Sequence, residues 1–342
     1  MTIKYMDAKR IQGLSSDTKP QNVQAGSIFV ETDTYYYSWF DGTSWTFPAR
    51  GLFMGGGNWD GSAPYYQNII DHISIQTTGN ATDFGDMTSG SYGSAGGGNG
   101  TRGVLALGQD NGTDSNKIDY VTIMTAGNAS DFGDLTLART QLAGGMENGT
   151  RHVWSSGNGS TSHLNTMDYI TVASTGNATD FGDAQTAVYG RFHGVNNGTR
   201  GCCAAGVNSG NGKEDEIDYI TIATTGNATQ FGNLSVGGYN GAGGDNQSRG
   251  VFVYGLDASQ NYVNTMEYIT IATTGNSTDF GDRTVAKNAP ACACDNTRIV
   301  IGAGQTVNTV DYITTATPSG ATDFGDLTLA RYGLGSCDTQ GA

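Results

Sequence analysis

The chain has 342 residues, with 53 glycines, only 5 prolines and 14% charged residues. Its formal net charge of −15 argues against a partner such as nucleic acid or an anionic membrane, because both require a basic face. The 37% of hydrophobic residues can supply a buried core, so a disordered chain is not expected. The N-terminal stretch lacks the apolar centre of a signal peptide, and no apolar run is long enough for membrane insertion.

The first part of the chain, residues 1–48, is predicted to be a separate, aromatic-rich module. Within it, Gly26–Phe47 reads as a small β-meander with strands Ser27–Glu31, Tyr35–Phe40 and Thr43–Phe47. So short a module cannot bury its aromatic side chains alone, so we expect it to anchor the chain on a partner surface. The predicted anchoring residues are Tyr35, Tyr37, Trp39, Phe40, Trp45 and Phe47.

The remainder, residues 49–342, consists of six copies of one unit. A segment of the type I-D-Y-I-T-I-A-T-T-G-N-A-T-D-F-G-D-L-T recurs every 44 to 50 residues, with an arginine and a short β-prone run upstream of each copy. Each unit reads as four short strands with period-2 alternation, and no helical periodicity is present. Repeats of this length with four strands each are typical of a β-propeller, so the sequence predicts an all-β, six-bladed propeller.

The innermost strand of each blade is predicted to be rich in glycine and alanine, because the blades converge there. The first unit begins at Arg50 without such a strand before it, whereas the last glycine-rich strand is followed by no further repeat. We therefore expect the C-terminal strand to complete the first blade and close the ring. The predicted inner strands are Ser89–Gly98, Leu137–Met146, Ala187–Asn196, Val236–Gly244, Val285–Cys294 and Leu329–Asp338.

The two faces of the predicted disc differ. One face, called the constant face here, carries the N-G-T-R turns and the T-G-N-A-T-D-F-G-D loops, which are nearly identical in every unit. The opposite, variable face carries loops that differ in length and chemistry, and such loops are free to recognise a partner. These loops are Gly56–Asn68, Gln109–Lys117, Asn158–Asn165, Val207–Glu216, Leu256–Asn264 and Ala303–Asn308.

Two residues of the repeat are predicted to serve the fold. The phenylalanine of D-F-G-D should pack between blades, and the repeated arginine should pair with the two aspartates of that motif. The fourth unit has Gln230 and Asn233 in place of these aspartates, so Arg200 should lack the pair. The clearest members are Arg102, Arg151, Arg249 and Arg298, with Phe132, Phe181 and Phe280.

Candidate binding residues lie in the variable loops. Exposed aromatic rings beside polar groups suit a saccharide or a protein surface, since the ring gives flat apolar contact and the polar groups fix orientation. The alternative is a solvated rim without a ligand. The candidates are Trp59, Tyr65, Tyr66, His163, Asp215, Glu216 and Tyr262.

No motif in the sequence points to catalysis, a metal or a cofactor. The four histidines are scattered, and neither a nucleophile elbow nor a phosphate-binding glycine loop is present. The five cysteines lack zinc-site spacing and are expected to be buried thiols, with a cluster of Cys292, Cys294 and Cys337 as the alternative.

The blade pattern resembles kelch propellers, although the double glycine is clear only at Gly55–Gly57 and phenylalanine stands where kelch repeats carry tryptophan. More specifically, I-D-Y-I-T-I-A-T-T-G-N-A-T-D-F-G-D-L resembles repeats of tailed-phage virion proteins, particularly from marine and cyanobacterial phages. The stretch Gly26–Phe47 is also similar to short modules that open phage structural proteins. The resemblance implies a virion component, which we expect to be assembled in the host cytoplasm. The lack of a catalytic motif makes a non-enzymatic component the expectation.

Three functions follow as hypotheses. The leading one is a tail-associated or surface appendage subunit, held to other virion proteins by residues 1–48, whose variable face contacts a host glycan or protein. The second is a purely architectural or decorating virion protein, and the third is a propeller glycosidase that acts on host polysaccharide. Homo-oligomerisation is left open by the sequence.

Overall fold

The computed structural model describes residues 4–5, 9–14, 17–31, 37–40, 45–46, 49–58, 64–302, 304–305 and 307–340. Over these residues every regular element is a β-strand. No helix in this part of the chain is long and apolar enough to cross a membrane. The chain divides into two compact units, Met1–Ala49 and Arg50–Ala342.

The N-terminal unit contains a five-stranded sheet. The predicted meander is present as the antiparallel strands Ile28–Glu31, Tyr37–Phe40 and Trp45–Thr46. Two strands that the sequence analysis did not predict, Lys4–Tyr5 and Arg10–Gly13, extend the sheet, and the second runs parallel to Ile28–Glu31.

Part of the predicted anchor lies outside the described residues. Phe40 is buried, together with Phe29 and Ile11, in the core of this unit. Tyr35 and Phe47 fall outside the described residues, as do the side chains of Tyr37, Trp39 and Trp45. The anchoring role of this aromatic set therefore stays a prediction.

The second unit is a six-bladed β-propeller, as predicted. Each blade has four antiparallel strands, counted here from the inner to the outer edge of the ring. Blade 1 contains Arg50–Met54, and the other blades follow in chain order. The inner strands of blades 1 to 6 are Gly335–Asp338, Ala95–Gly98, Ala143–Glu147, Phe192–Asn196, Ala242–Asp245 and Ala291–Cys294. The second strands are Arg50–Met54, Arg102–Ala106, Arg151–Asn158, Arg200–Ala204, Arg249–Val253 and Arg298–Gly302.

The third and fourth strands form the outer half of each blade and contain the segment that is most similar among the six repeats. The third strands are Gln67–Ser74, Lys117–Thr122, His163–Thr171, Glu216–Thr221, Thr265–Thr270 and Thr309–Thr314. The fourth strands are Thr82–Tyr92, Ser130–Asp134, Thr179–Tyr189, Thr229–Asn233, Thr278–Asp282 and Thr322–Asp326. Short strands in the loops complete the set: Gln109–Asp110, Thr113–Asp114, Val207–Asn208, Gly238–Tyr239 and Leu256–Asp257.

The ring is closed by the C-terminal strand, as predicted. Gly335–Asp338 pairs antiparallel with Gly51–Met54, so blade 1 is built from both ends of the propeller sequence. The inner strands are shorter than predicted, with four or five residues rather than about ten. The first half of each glycine-rich stretch instead continues the fourth strand, as at Thr82–Tyr92, or forms the connection to the next blade.

The apolar core lies between neighbouring blades. Phe132, for example, packs in one buried cluster with Leu142 and Trp154 of the next blade. Phe181 and Phe280 are equally buried, at 2% and 1% exposure, and each joins residues of two blades. Since each blade has apolar side chains on both faces, only radial packing against two neighbours removes them from water.

Candidate functional site

The T-G-N-A-T-D-F-G-D loop of the constant face joins each blade to the next. In the seam between blades 1 and 2, the Gly127 amide donates to the Phe84 carbonyl at 2.8 Å, and the Asp86 amide donates to Oδ1 of Asn128 at 3.0 Å. The same asparagine contact recurs at Asn80, Asn177, Asn227 and Asn276. The loop sequence is therefore nearly identical among the repeats because it makes the same hydrogen bonds between neighbouring blades.

The predicted pairing of the repeated arginine with D-F-G-D carboxylates is wrong for blades 2, 3, 5 and 6, where the arginine binds main-chain carbonyls. Arg102 Nη1 donates to the Val172 carbonyl of the next blade at 3.0 Å, and its guanidinium lies 4.4 Å from the Tyr120 ring centre. Arg200, beside the motif that lacks both aspartates, makes the same contact with Ile271 at 3.0 Å. The carbonyl contact recurs for Arg50, Arg151, Arg249 and Arg298. The arginine partner is therefore main-chain oxygen, and most D-F-G-D carboxylates face solvent.

The acid that the repeat buries is the second residue of I-D-Y, which reads I-D-H at Asp71. Asp71 is fully buried and accepts from Thr328 Oγ1 at 2.6 Å and from Arg331 Nη2 at 2.8 Å. These bonds join blade 6 to blade 1. Buried pairs of the same kind are Arg139–Asp168 and Arg191–Asp218, at 2.8 and 2.6 Å.

Sequence reasoning missed these buried arginines. A signal existed, because T-L-A-R follows D-F-G-D at the same distance in units two and six, which places Arg139 and Arg331 at equivalent positions. In blade 2 the equivalent acid, Asp119, accepts from the amide and Oγ1 of Thr88, as Asp71 does from Thr328, but among the described residues it has no arginine partner. Burial raises the pKa of Asp119 above its ordinary value.

Two predicted binding residues, Tyr65 and Tyr66, lie together on the variable face. Their rings are 4.6 Å apart, and the Tyr65 and Tyr332 hydroxyls are 3.1 Å apart. Tyr92 completes the cluster, with its ring centre 5.3 Å from that of Tyr332. The cluster therefore covers the place where the first and last blades meet. Trp59, predicted for the same loop, lies outside the described residues.

The other predicted binding residues are dispersed over blades 3 to 5. His163 packs edge-on against Tyr189, with ring centres 4.7 Å apart. Asp215 accepts from Asn233 Nδ2 at 3.0 Å, and Glu216 accepts from Thr186 at 3.1 Å. Tyr262 is 50% exposed, and its hydroxyl contacts Gln305. These residues share a face but do not form one compact site.

A set of tyrosines near the propeller axis was not predicted. They occupy the same position in their repeats, at or after the end of the fourth strand of one blade and before the inner strand of the next. The set is Tyr92, Tyr189, Tyr239 and Tyr332, with Thr140 and Asn288 at the two remaining positions. Comparing the repeats position by position would have found it, because the spacing between members is that of the blades.

The residue after each of these positions belongs to a closed ring of six main-chain hydrogen bonds around the axis. All six residues have positive φ, between 50° and 64°. Each amide donates to the carbonyl of the equivalent residue in the preceding blade, at 2.6 to 3.1 Å. The members are Gly93, Gln141, Gly190, Asn240, Ala289 and Gly333. This ring, called the axial ring here, narrows the centre of the variable face.

The constant-face end of the axis holds three buried carboxylates in alternate blades: Glu147, Asp245 and Asp338. Each accepts from a main-chain amide of the preceding blade, as Asp245 does from Asn196 at 2.8 Å and Asp338 from Cys294 at 2.7 Å. Burial raises the pKa of Glu147 to about 8 and that of Asp245 to about 7. All three pKa values are raised, which favours the protonated carboxyls.

The five cysteines are free and buried, as expected. Cys292, Cys294 and Cys337 line the same depression as the three carboxyls. Burial raises the pKa of Cys292 to about 12 and the pKa values of the other two well above the ordinary value, which disfavours a thiolate cluster. Across the described residues, no group of three His, Cys, Asp or Glu side chains is arranged to hold a metal ion.

Comparison of the chain with models of protein families and with curated proteins gave no match.

Proposed function

We propose that the chain is a non-enzymatic structural protein of a tailed-phage particle, and that the variable face of its propeller recognises a host surface. Its place in the particle is a tail-associated or other surface appendage, joined to neighbouring virion proteins through residues 1–48. The virion assignment rests on the resemblance of the repeats and of Gly26–Phe47 to phage proteins, and the kelch-like relationship rests on the strand pattern of the blades.

The observation that supports recognition is that the two faces differ in how their polar and aromatic side chains are engaged. On the constant face, the repeated polar groups are engaged in bonds between blades, such as those of Asn128 and Arg102. On the variable face, the loops differ in length, and Tyr262 exposes half of its side chain. A surface that varies among repeats and presents aromatic side chains is suited to binding a partner.

The virion assignment is tested by location. Antibodies raised against the full chain should label tailed particles produced from the genome that encodes it, at the tail or at another surface appendage. Particles that carry none of this protein would contradict the proposal.

Recognition is tested with the fluorescently labelled full chain and a panel of bacteria. We expect binding to at least one strain, with loss of binding for Trp59→Ala or Tyr262→Ala. Asp131→Asn on the constant face is the matched control and should bind as the unmodified chain does. Labelled particles together with no cell binding would favour the purely architectural role, and release of sugar from host polysaccharide would favour a glycosidase.

A further inference from the structure

A depression lies on the propeller axis at the variable face. It is open to solvent, and its empty space, with the solvent at its mouth included, is about 360 Å³. The axial ring surrounds it, Tyr92 and Pro290 contribute to its lining, and His193 reaches it from the inner strand of blade 4. His193 also lines the depression at the constant-face end, so its side chain lies between the two.

The main-chain amides and carbonyls of the axial ring are already hydrogen-bonded to one another. All six of its amides donate within the ring, and each of its carbonyls accepts one of these bonds. Three of its members are glycine and one is alanine, so four of the six positions carry no polar side chain. The polar side chains of the ring are the two amides, Gln141 and Asn240.

These two amides are positioned side by side across Gly190. Gln141 Nε2 lies 3.4 Å from Asn240 Oδ1, which is a long hydrogen bond. The pair retains an acceptor, Gln141 Oε1, and a donor group, Asn240 Nδ2. An acceptor beside a donor matches two neighbouring hydroxyl groups, since each hydroxyl can donate or accept.

The rest of the lining is apolar or uncharged, except for Arg191, whose charge is paired. Burial raises the pKa of Tyr92 to about 12 and lowers that of His193 to about 4, so both side chains are neutral near pH 7. Arg191 is buried and its charge is compensated by Asp218 at 2.6 Å. An ionic ligand would thus lose its hydration without gaining an unpaired opposite charge.

We propose that this depression binds an uncharged sugar ring, with two neighbouring hydroxyls on Gln141 and Asn240 and an apolar ring face toward Tyr92. The inference rests on the proposed recognition role of the variable face and names its ligand class as neutral carbohydrate. Aromatic rings pack on the C–H faces of sugars through flat apolar contact, and side-chain amides fix the orientation.

The test uses the fluorescently labelled full chain on an array of neutral and acidic glycans. The informative variant is Gln141→Gly with Asn240→Gly. Glycine already occupies this position of the axial ring at Gly93, Gly190 and Gly333, so the variant keeps the positive φ and the main-chain bonds. Unchanged thermal melting checks that it folds.

We expect binding to neutral glycans, with affinity reduced about tenfold or more in the double variant, since two hydrogen bonds are lost. Asp131→Asn should leave the affinity unchanged. Absence of any glycan binding, a preference for acidic glycans only, or equal binding by the double variant would overturn the inference.

The glycan inference and the proposed function fail separately. A chain that binds cells while free neutral glycan does not compete keeps its recognition role but loses the sugar site. A chain that binds neutral glycans through Gln141 and Asn240, but is missing from phage particles, keeps the sugar site and loses the virion role.

Discussion

Arg200 donates from Nη1 to the carbonyl of Ile271 in the next blade at 3.0 Å, although its blade lacks both aspartates of the D-F-G-D motif. Arg102 makes the equivalent bond to Val172 at the same distance, with both aspartates present. The guanidinium is therefore held by main-chain oxygen and by the tyrosine of its own third strand, at 4.3 Å for Tyr219. Carboxylates are dispensable for this contact.

Removing the repeated arginine should weaken one seam of the propeller. We expect Arg102→Ala to lower the free energy of unfolding by about 1–3 kcal/mol, through loss of a charged hydrogen bond and of the stacking on Tyr120. Arg200→Ala should cost a similar amount. Urea unfolding measures both.

Asp131→Asn is the comparison for this prediction. Its carboxylate is exposed, so we expect a change within about 0.5 kcal/mol. A cost for Asp131→Asn as large as that for Arg102→Ala would show that the carboxylate supports the arginine after all.

Deleting residues 329–342 should collapse the propeller. The deletion removes the strand Gly335–Asp338, whose four residues pair with Gly51–Met54, and it removes Arg331 from Asp71. We expect loss of the cooperative melting transition in differential scanning calorimetry. A chain that ends at Gln340 keeps the strand and is the control. Unchanged melting of the longer deletion would contradict closure by this strand.

Breaking the buried pair at the same seam should be costly. In Arg331→Met, the carboxylate of Asp71 stays buried without its cation, so we expect a loss of about 3–5 kcal/mol. The double variant with Asp71→Asn should lose less than the sum of the single variants, because no unpaired charge remains. Strict additivity in urea unfolding would show that the two side chains do not interact.

Stability should fall as the pH rises through neutrality. The pKa of Glu147 is raised from 4.5 to about 8 and that of Asp245 from 3.8 to about 7, so the folded state holds these protons more tightly than the unfolded state. The stabilisation is present at acid pH and is lost as the pH rises to the folded pKa values. Thermal melting between about pH 5 and pH 8 measures the loss.

Asp245→Asn provides the control for the pH dependence. Its amide oxygen can still accept from the Asn196 amide, but the side chain no longer titrates. We expect a flatter melting profile above about pH 6, where ordinary carboxyls are already ionised. An unchanged slope would assign the pH dependence to other groups.

The architecture could be predicted because the sequence of one blade is repeated six times. Phe132 and its equivalents recur at the blade spacing, and the spare strand at the C-terminus reveals the closure. The partner of Arg102 could not be predicted, since a carbonyl such as that of Val172 has no sequence signature and lies 70 residues away.

The candidate site was predictable only in part. Tyr65 and Tyr66 were found because aromatic residues stand out in a loop, whereas Tyr92 and Tyr332 were assigned to glycine-rich strands. The inner strands were predicted too long for a related reason. A residue with positive φ, such as Gln141 at 53°, interrupts the extended chain, and its side chain gives no indication of that conformation.

The axial ring has a consequence for how the molecule comes apart. In an open array of repeats, the first and last units have one neighbour each and open most readily. A cycle of hydrogen bonds has no outermost member, because Gly93 donates to Gly333 just as Gly333 donates to Ala289. Every blade therefore has a hydrogen-bonded neighbour on both sides in this ring, including blade 1, in which the two ends of the propeller sequence are joined only by non-covalent bonds.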